Sequence, residues 1–326
     1  MKTLKRLLCG LGVSMICSGA SLAADAYPTQ PITLVNPYAA GGPADVLGRA
    51  LARELEKQLG KPVIVENKAG GGAAIGANFV ARAKPDGYTL LLGTSAAHVV
   101  TPLMQRTAYD GIKDFAFVTI VANQPNMLVV RSSLPVSTLP ELIALARKEP
   151  GKINYASAGP GSSPHLGGEL FRQQAKVDIM HIPYSGAAPA INDLVGGQVD
   201  MAVLNLAASV QFIRSGKLKA LAYANPKRSA LFPDVPTLAE AGVSGAESAS
   251  WYSLAAPKGT PQAVLEKLNK AVQAVQAVNQ SPEYRKLMDA QGVELWTLTP
   301  QEATQYVEKD QLAMRKLVDS AGLTKK

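Results

Sequence analysis

The chain has 326 residues, which is enough for two ordinary domains, each with its own hydrophobic core. Its formal net charge is +8, but the basic residues are scattered along the chain, which argues against nucleic-acid binding. The sequence contains only two cysteines, Cys9 and Cys17, which excludes a disulfide framework in the body of the chain.

The first residues have the pattern of a secretory signal peptide. Lys2, Lys5 and Arg6 precede an apolar run, and small residues follow it up to Ala23. We therefore predict a signal peptide over residues 1–23, cleaved near Ala23, and a mature protein in the periplasm. The apolar run is too short for a membrane span, and neither cysteine follows a small residue as lipidation requires. A soluble mature chain without membrane insertion is expected.

The residues after the leader predict alternating strands and helices. A short β-branched run, Ile32–Asn36, ends in a Gly-rich turn, and a helix with one apolar face begins at Pro43. Strands at Val63–Glu66 and Thr89–Leu92 flank a predicted helix from Ala73 to Ala83. This order is typical of a βαβαβ unit.

The second half of the chain repeats this rhythm. Strands are predicted at Ile153–Ala156, Ile179–Ile182, Val199–Val203 and Leu218–Ala222, with a helix that begins near Pro164. Repeated alternation predicts an α/β fold with two doubly wound, parallel sheets that carry helices on both faces.

No flexible linker separates the two halves. Phe115–Arg131 and Ala246–Leu254 instead read as extended segments that cross between two lobes. The segment after Pro261 is predicted to be mainly helical, with one strand at Val293–Trp296, and to return to the first lobe. The predicted division is 24–125 with 251–326 for lobe 1 and 126–250 for lobe 2, with a ligand cleft between them.

Two enzyme-like patterns each lack a residue that their chemistry requires. The glycines that begin at Gly70 resemble a dinucleotide-binding loop, but Ile75 stands where the third glycine is needed for close helix packing. His165 and Glu169 share a helix face at metal-ligand spacing, but the sequence shows no third ligand. We therefore expect neither a cofactor nor a bound metal.

A third pattern leaves an enzymatic alternative open. The segment Gly93-Thr94-Ser95-Ala96-Ala97 resembles the nucleophile elbow of a serine hydrolase, with alanine in place of its last glycine. His98, His165 and His181 are candidate bases for such a nucleophile. A secreted serine hydrolase that uses Ser95 therefore remains an alternative.

The same turns can bind an anion without catalysis. Gly41-Gly42, Thr94-Ser95 and Gly161-Ser162-Ser163 each lie at a predicted strand-to-helix turn and contain no lysine or arginine. A helix N-terminus presents unpaired backbone N–H groups and a partial positive charge, which together bind carboxylate or phosphate oxygens. Such turns gather at the carboxyl edge of a doubly wound sheet. The sequence therefore predicts an anion site between the lobes.

A series of longer motifs extends over nearly the whole chain after the leader. In order, they are Tyr27-Pro28-Thr29-Gln30-Pro31-Ile32, Pro37–Gly42, Val65–Gly70, Pro85–Leu90, His181–Gly186, Gly196–Asp200 and Pro233–Gly242. These motifs resemble those of Bug-type proteins, the extracytoplasmic receptors of tripartite tricarboxylate transporters.

The resemblance implies a two-lobed periplasmic-binding-protein fold, similar to type II, with two crossings between the lobes. It also implies a monomeric receptor that catalyses nothing and needs no cofactor. Such a receptor captures a di- or tricarboxylate or an aromatic carboxylate and delivers it to the membrane components of the transporter. A component that presents its ligand to a sensor system remains a second alternative.

The resemblance further implies that backbone groups, hydroxyls and waters hold the ligand, with one carboxylate between the first-strand loop and the second lobe. Carried onto this sequence, the ligand-binding residues are Tyr38, Ala39, Ala40, Thr94, Ser95, Ala96, Gly161, Ser162, Ser163, His165 and Asn205. Members of the family often carry an acidic residue near Asn205, so the amide is expected to alter the choice of ligand.

Overall fold

Strands and helices alternate through most of the chain in a computed structural model, which describes residues 27–277, 281–320 and 322–324. The predicted signal peptide lies outside the described residues. The strands are β1 (Ile32–Asn36), β2 (Val63–Asn67), β3 (Thr89–Thr94), β4 (Phe115–Arg131), β5 (Asn154–Ser157), β6 (Met180–Pro183), β7 (Met201–Asn205), β8 (Leu218–Tyr223), β9 (Ala249–Pro257) and β10 (Glu294–Leu295). The helices are α1 (Pro43–Leu59), α2 (Ala74–Ala81), α3 (Thr101–Met104), α4 (Leu139–Lys148), α5 (Ser163–Ala175), α6 (Ala187–Val195), α7 (Leu206–Arg214), α8 (Gln262–Gln276), α9 (Pro282–Ala290) and α10 (Pro300–Ser320). A π-helical turn, Ala96–Val100, joins β3 to α3.

The strands form one strongly bent sheet whose two halves belong to the two lobes. In the first lobe the order is β2-β1-β3-β9-β4, with β1 parallel to β2 and β3 and with β9 antiparallel to both its neighbours. In the second lobe β5 lies between β6 and β7 and is parallel to both. Alternation of strands and helices therefore produced the parallel units that the sequence predicts.

The long strand β4 belongs to both halves of the sheet. Its first part pairs with β9 as far as Pro125, which lies opposite Ala249. From Asn126, which lies opposite Asn205, it pairs with β7 and also with β8. The predicted crossing Phe115–Arg131 therefore coincides with β4, and the second crossing leads into β9.

One expectation about the second lobe was wrong. The strand Leu218–Ala222 was expected to continue a parallel series, but β8 pairs with β4 and is antiparallel to it. The physical reason is that the crossing strand enters this lobe between β7 and β8 and runs against both. Both halves of the sheet are consequently mixed, with an antiparallel strand inserted among parallel ones.

Hydrophobic clusters cover both faces of each half of the sheet. In the first lobe, α1, α8 and α9 pack on one face, and α2, the π-helical turn and α10 pack on the other. In the second lobe, α4 and α5 cover one face, and α6 and α7 cover the other. Fully buried side chains such as Leu51 and Phe171 each contribute about 1.5–3 kcal/mol to stability. This arrangement is doubly wound, and the helices α8, α9 and α10 pack on the half of the sheet that contains β1 and β3.

No helix within the described ranges is long and apolar enough to cross a membrane.

Candidate functional site

A cleft between the lobes is bounded by the carboxyl ends of parallel strands and by the two crossings. Its lining comprises Tyr38, Ala39, Gly42, Pro43, Ala44, Ala158, Ser162, Ser163, Pro164, Ala187, Asn205, Ser250 and Tyr252. Among these described residues there is no Asp, Glu, Lys, Arg or His. The polar groups that face the cleft are therefore hydroxyls, an amide and the backbone.

Four helices begin at this cleft. The first turns of α1, α5 and α6 contribute lining residues, and α7 begins directly after Asn205. The N-cap residues of α1, α6 and α7, which are Gly42, Gly186 and Asn205, make no side-chain capping bond. Several first-turn N–H groups are therefore left for a ligand or water, and the four helix dipoles place partial positive charge around the cleft. This arrangement favours an anion.

A polar network holds the loop that carries Tyr38. The Asn67 amide donates to the Tyr38 carbonyl at 3.1 Å and to Asp45 at 2.9 Å. Asp45 also accepts from the backbone N–H of Gly41 and from Arg49, each at 3.0 Å. Burial alone would raise the pKa of Asp45, but these bonds outweigh burial and lower it, so the carboxylate stays charged. The loop is therefore fixed before a ligand arrives.

The Thr94 segment lies behind this loop. The Tyr38 hydroxyl is 3.3 Å from the Thr94 hydroxyl, which also accepts from the Ala97 N–H at 3.2 Å. Burial raises the pKa of Tyr38 to about 12, so it remains a neutral phenol. Ala96 is buried, and Ser95 lines a second cavity, which shares Ser163 with the cleft. Thr94 therefore does not line the cleft itself, but its hydroxyl contacts Tyr38, which does.

The turn before α5 uses most of its polar groups internally. The Ser162 hydroxyl donates to the Gly159 carbonyl at 2.7 Å and accepts from the His165 N–H at 3.3 Å. The Ser162 N–H also donates to Gly159, and the Gly161 N–H donates to His165 Nδ1 at 3.1 Å. Ser163 is different, because its N–H has no acceptor among the described residues while the residue lines the cleft. Ser163 is therefore the member of this turn that is free to contact a ligand.

A chain of side-chain hydrogen bonds, here called the amide relay, joins Asn205, Asn126, Ser163 and Ser248 where β4 passes from one lobe to the other. Asn205 Nδ2 donates to Asn126 Oδ1 at 2.9 Å. Asn126 Nδ2 donates in turn to Ser163 Oγ at 2.7 Å and to Ser248 Oγ at 2.8 Å. The relay therefore connects β7, both crossings and the start of α5.

The lobes touch at both ends of the cleft. A Cβ atom on Gly72 would lie 2.3 Å from the carbonyl oxygen of Pro160, and one on Gly186 would lie 3.4 Å from Ala39 Cβ. Any wider opening of the cleft must therefore separate the lobes at these two contacts.

The structure brings only part of the predicted site together. Tyr38, Ala39, Ser162, Ser163 and Asn205 line the cleft. The remaining predicted residues do not: Ala40 is exposed, Ser95 lines the other cavity, and Thr94, Ala96, Gly161 and His165 lie behind the lining. Binding of a ligand by any of these residues stays a prediction. Ser250 and Tyr252 also line the cleft but were not predicted, although polar residues two apart on an apolar strand face the same side.

Two of the candidate histidines bond to serines other than Ser95, the candidate nucleophile. His98 Nε2 lies 3.0 Å from Ser253 Oγ, and His181 Nε2 lies 2.7 Å from Ser157 Oγ. None of the hydrogen bonds of the described histidines reaches Ser95. Within the described ranges, no group of three or more Asp, Glu, His or Cys side chains could hold a metal ion. The geometry therefore gives no support to a Ser95 nucleophile.

Protonation of His98 is expected to destabilise the fold below neutral pH. The side chain is fully buried, with Nδ1 2.7 Å from the Gly111 carbonyl. Burial lowers the pKa of His98 from 6.5 to about 4, although the bond to Gly111 opposes this change. Between these values the unfolded chain binds the proton and the folded chain does not. The free energy of unfolding is therefore unaffected by His98 above pH 6.5. Proton binding by this residue in the unfolded chain lowers it by about 3 kcal/mol at pH 4.

Urea unfolding at pH 7 and pH 4 measures this loss, and His98→Asn is the control because it cannot titrate. The variant is expected to lose less stability than the wild type over this range. An NMR titration that gave the His98 ring a pKa near 6.5 in the folded protein would contradict the expectation.

Comparison with known proteins places the chain among transport receptors. The sequence profile described as "Tripartite tricarboxylate transporter family receptor" matches residues 47–323. Protein BugT of Bordetella pertussis (strain Tohama I) is 40% identical over 271 residues, covering 82% of this chain and 83% of BugT. A UPF0065 protein from the tcbD-tcbE intergenic region of Pseudomonas sp. (strain P51) is 37% identical over 270 residues, covering 82% of this chain and 80% of that protein.

Solved structures share the fold. The periplasmic binding protein BugD is 37% identical, has a TM-score of 0.88, and is matched over 92% of this chain and 100% of its own. Rpa4515 of R. palustris, solved with adipate, is 36% identical with a TM-score of 0.88 over 92% and 100% of the two chains. MatC from Rhodopseudomonas palustris, solved with bound malate, is 34% identical with a TM-score of 0.84 over 90% and 100%. These matches confirm the two-lobed periplasmic-binding fold, and the relatives are solute-binding proteins, not enzymes.

Proposed function

Because the chain belongs to the family of tripartite tricarboxylate transporter receptors, we propose that it captures a small organic carboxylate in the interlobe cleft and delivers it to the membrane components of such a transporter. The chain is a solute-binding protein and not an enzyme, like the family and its solved members. A di- or tricarboxylate or an aromatic carboxylate is the proposed ligand.

The convergence of four helix N-termini on an uncharged cleft carries this proposal. Unpaired N–H groups at helix starts bind carboxylate oxygens and require no basic side chain. A partly buried ion in this cleft would be stabilised by fixed backbone dipoles, supplemented by the Ser163 hydroxyl and by water. The adipate and malate bound to two solved relatives belong to the same class of ligand.

The predicted contacts and lobe boundaries support a mechanism in which the two lobes close around the ligand. We keep lobe 1 as 24–125 with 251–326 and lobe 2 as 126–250, because β4 changes partners between Pro125 and Asn126. Tyr38 and Ala39 approach the cleft from the first lobe, whereas Ser163 and Asn205 approach it from the second. Contacts from both lobes are complete only in the closed form, so the ligand would shift the population toward closure.

Thermal unfolding with a panel of carboxylates tests the proposed ligand class. Succinate, citrate and benzoate are compared with their neutral amides at equal concentration. A ligand that binds only the folded state stabilises it by about 2.7 kcal/mol at one hundred times its Kd. We expect stabilisation by at least one acid and none by its amide. Equal stabilisation by an acid and its amide, or none by any acid, would contradict the proposal.

Delivery and export are proposed from the family relationship. A periplasmic receptor requires a leader, and residues 1–23 have the pattern of one. Intact mass of the exported protein, expected to begin near Ala24, checks the export. Uptake of the labelled acid by cells with and without the protein checks the delivery, and unchanged uptake would contradict it.

A further inference from the structure

Asn205 holds a capping position but does not cap its helix. It is the N-cap residue of α7, where an asparagine oxygen normally accepts from the second or third backbone N–H of the helix. Here the side chain makes no such bond, and the residue is only 6% exposed while lining the cleft. Both hydrogen bonds of the described side chain run through Nδ2. Oδ1 is therefore the part of Asn205 without a protein partner in the described residues.

Backbone carbonyls fix which way the two amides of the relay point. Asn205 Nδ2 lies 3.4 Å from the Gln124 carbonyl oxygen, and Asn126 Nδ2 lies 3.4 Å from the Ser163 carbonyl oxygen. A carbonyl only accepts hydrogen bonds, so the NH₂ end of each amide must face it. Asn126 then presents its oxygen to Asn205, whose own oxygen is left for the cleft. Turning either amide over would bring two acceptors together.

The same relay sets the polarity of Ser163. Its Oγ accepts from Asn126 Nδ2 at 2.7 Å, so its hydroxyl proton is free to be donated elsewhere. Ser163 therefore offers a hydroxyl and an unpaired N–H as donors, whereas Asn205 offers an acceptor. Both residues are one hydrogen bond away from the same Asn126 amide. The single side chain of Asn126 thus fixes the polarity of both the donor and the acceptor.

We infer that the cleft selects a carboxylate that bears a hydroxyl group beside the carboxyl group: Ser163 donates to the carboxylate, and Asn205 Oδ1 accepts from the hydroxyl. This inference rests on the proposed function and names the class of ligand for that site. An unsubstituted acid would shield Oδ1 from water without giving it a hydrogen-bond partner, which costs binding free energy. The ligand hydroxyl is the group that satisfies it.

An ammonium group at the same position fits less well. Among the described residues, no acidic side chain lines the cleft to balance its charge, and Asp45 in the first turn of α1 already bonds to Arg49. Four helix N-termini also place partial positive charge around the ligand. A buried cation without a charged partner is unfavourable. The neutral hydroxyl is therefore preferred over the charged amine.

Calorimetry with matched acids of identical skeleton tests the inference. The sets compare a hydrogen, a hydroxyl and an amine at one carbon: succinate, malate and aspartate; glutarate, 2-hydroxyglutarate and glutamate; phenylacetate, mandelate and phenylglycine. Both enantiomers of each chiral acid are included. On the skeleton that binds, we expect the better hydroxy acid to bind about tenfold or more tightly than the unsubstituted acid, and the amino acid to bind most weakly.

Two variants assign the preference to Asn205. Asn205→Leu removes the acceptor and is expected to bring the affinity ratio of hydroxy to unsubstituted acid close to one, whatever the overall loss of affinity. Tyr38→Phe removes another cleft-side hydroxyl, whose partner is Thr94, and is expected to keep the ratio. Asn205→Ala replaces the leucine variant if that variant does not fold.

The outcomes separate this inference from the proposed function. Equal binding of hydroxy and unsubstituted acids, or tightest binding of the amino acid, would overturn the inference and leave a carboxylate receptor in place. A hydroxyl preference that persisted in Asn205→Leu and Asn205→Ala would overturn the role of Asn205. Failure of every acid in every set to bind would overturn both the inference and the proposed function.

Discussion

Gly72→Ala is expected to lower ligand affinity on the order of a hundredfold while the fold survives. Gly72 lies where the first lobe meets the second, and its added Cβ would stand 2.3 Å from the Pro160 carbonyl oxygen and 3.0 Å from Thr101 Oγ1. Such an overlap with backbone is relieved most easily when the lobes separate. Because the ligand contacts from both lobes are complete only in the closed form, the variant loses binding energy without losing its core.

Gly71→Ala is the matched control for this substitution. Gly71 and Gly72 have φ values of 60° and 63°, so alanine suffers a similar backbone strain at either position. A Cβ on Gly71, however, meets nothing closer than Ala74 Cβ at 3.4 Å, within its own loop. Calorimetry measures the ligand affinity of both variants, and small-angle scattering measures whether the ligand makes each of them more compact. Equal affinities, or a ligand-induced compaction that persists in Gly72→Ala, would argue against closure at this contact.

Local patterns in the sequence were sufficient for most of the fold. Ile32–Asn36 and Phe115–Arg131 are strands over the predicted ranges, because long β-branched and apolar runs favour extended backbone buried on both sides. The direction in which β8 pairs could not be predicted locally. It depends on where β4 enters the second lobe, which is a long-range property of the chain.

One missed helix had a readable signal. Thr138, the N-cap residue of α4, accepts from the Glu141 N–H at 3.4 Å, and the Glu141 carboxylate accepts from the Ser137 N–H at 2.6 Å. Pro140 occupies the first turn, as is common at helix starts. The sequence thus contained enough information to place this helix.

The site was predictable at the level of turns but not of individual contacts. Gly41-Gly42 and Ser162-Ser163 lie at helix starts on the cleft, as expected from their position after strands. Which N–H of the second turn is free could not be predicted, because it depends on the internal bonds of Ser162. The polar residues Gln124 and Asn126 inside the apolar strand β4 were the overlooked signal, since buried polar groups require partners.

Ser163→Pro is expected to abolish most of the affinity for a carboxylate, and to lower this affinity more than Ser163→Ala does. Ser163 is the first residue of α5, a position that suits proline, and Ser162 before it has φ −68° and ψ 154°, which a following proline allows. The substitution therefore keeps the backbone while it removes the unpaired N–H and the hydroxyl together. Asn126 Nδ2 keeps Ser248 Oγ as an acceptor at 2.8 Å, so the relay retains a partner.

Ser163→Ala separates the two donors, because it removes only the hydroxyl. Hydrogen bonds to a charged group contribute about 1.5–3 kcal/mol each, so we expect a loss of about tenfold or more in the alanine variant and a further loss of similar size in the proline variant. Calorimetry with the tightest acid of the panel measures both losses, and urea unfolding checks that stability changes by no more than about 1 kcal/mol. Equal affinities of the two variants would mean that the ligand does not use the Ser163 N–H, and the anion would then have to be held by the starts of α1, α6 and α7 alone.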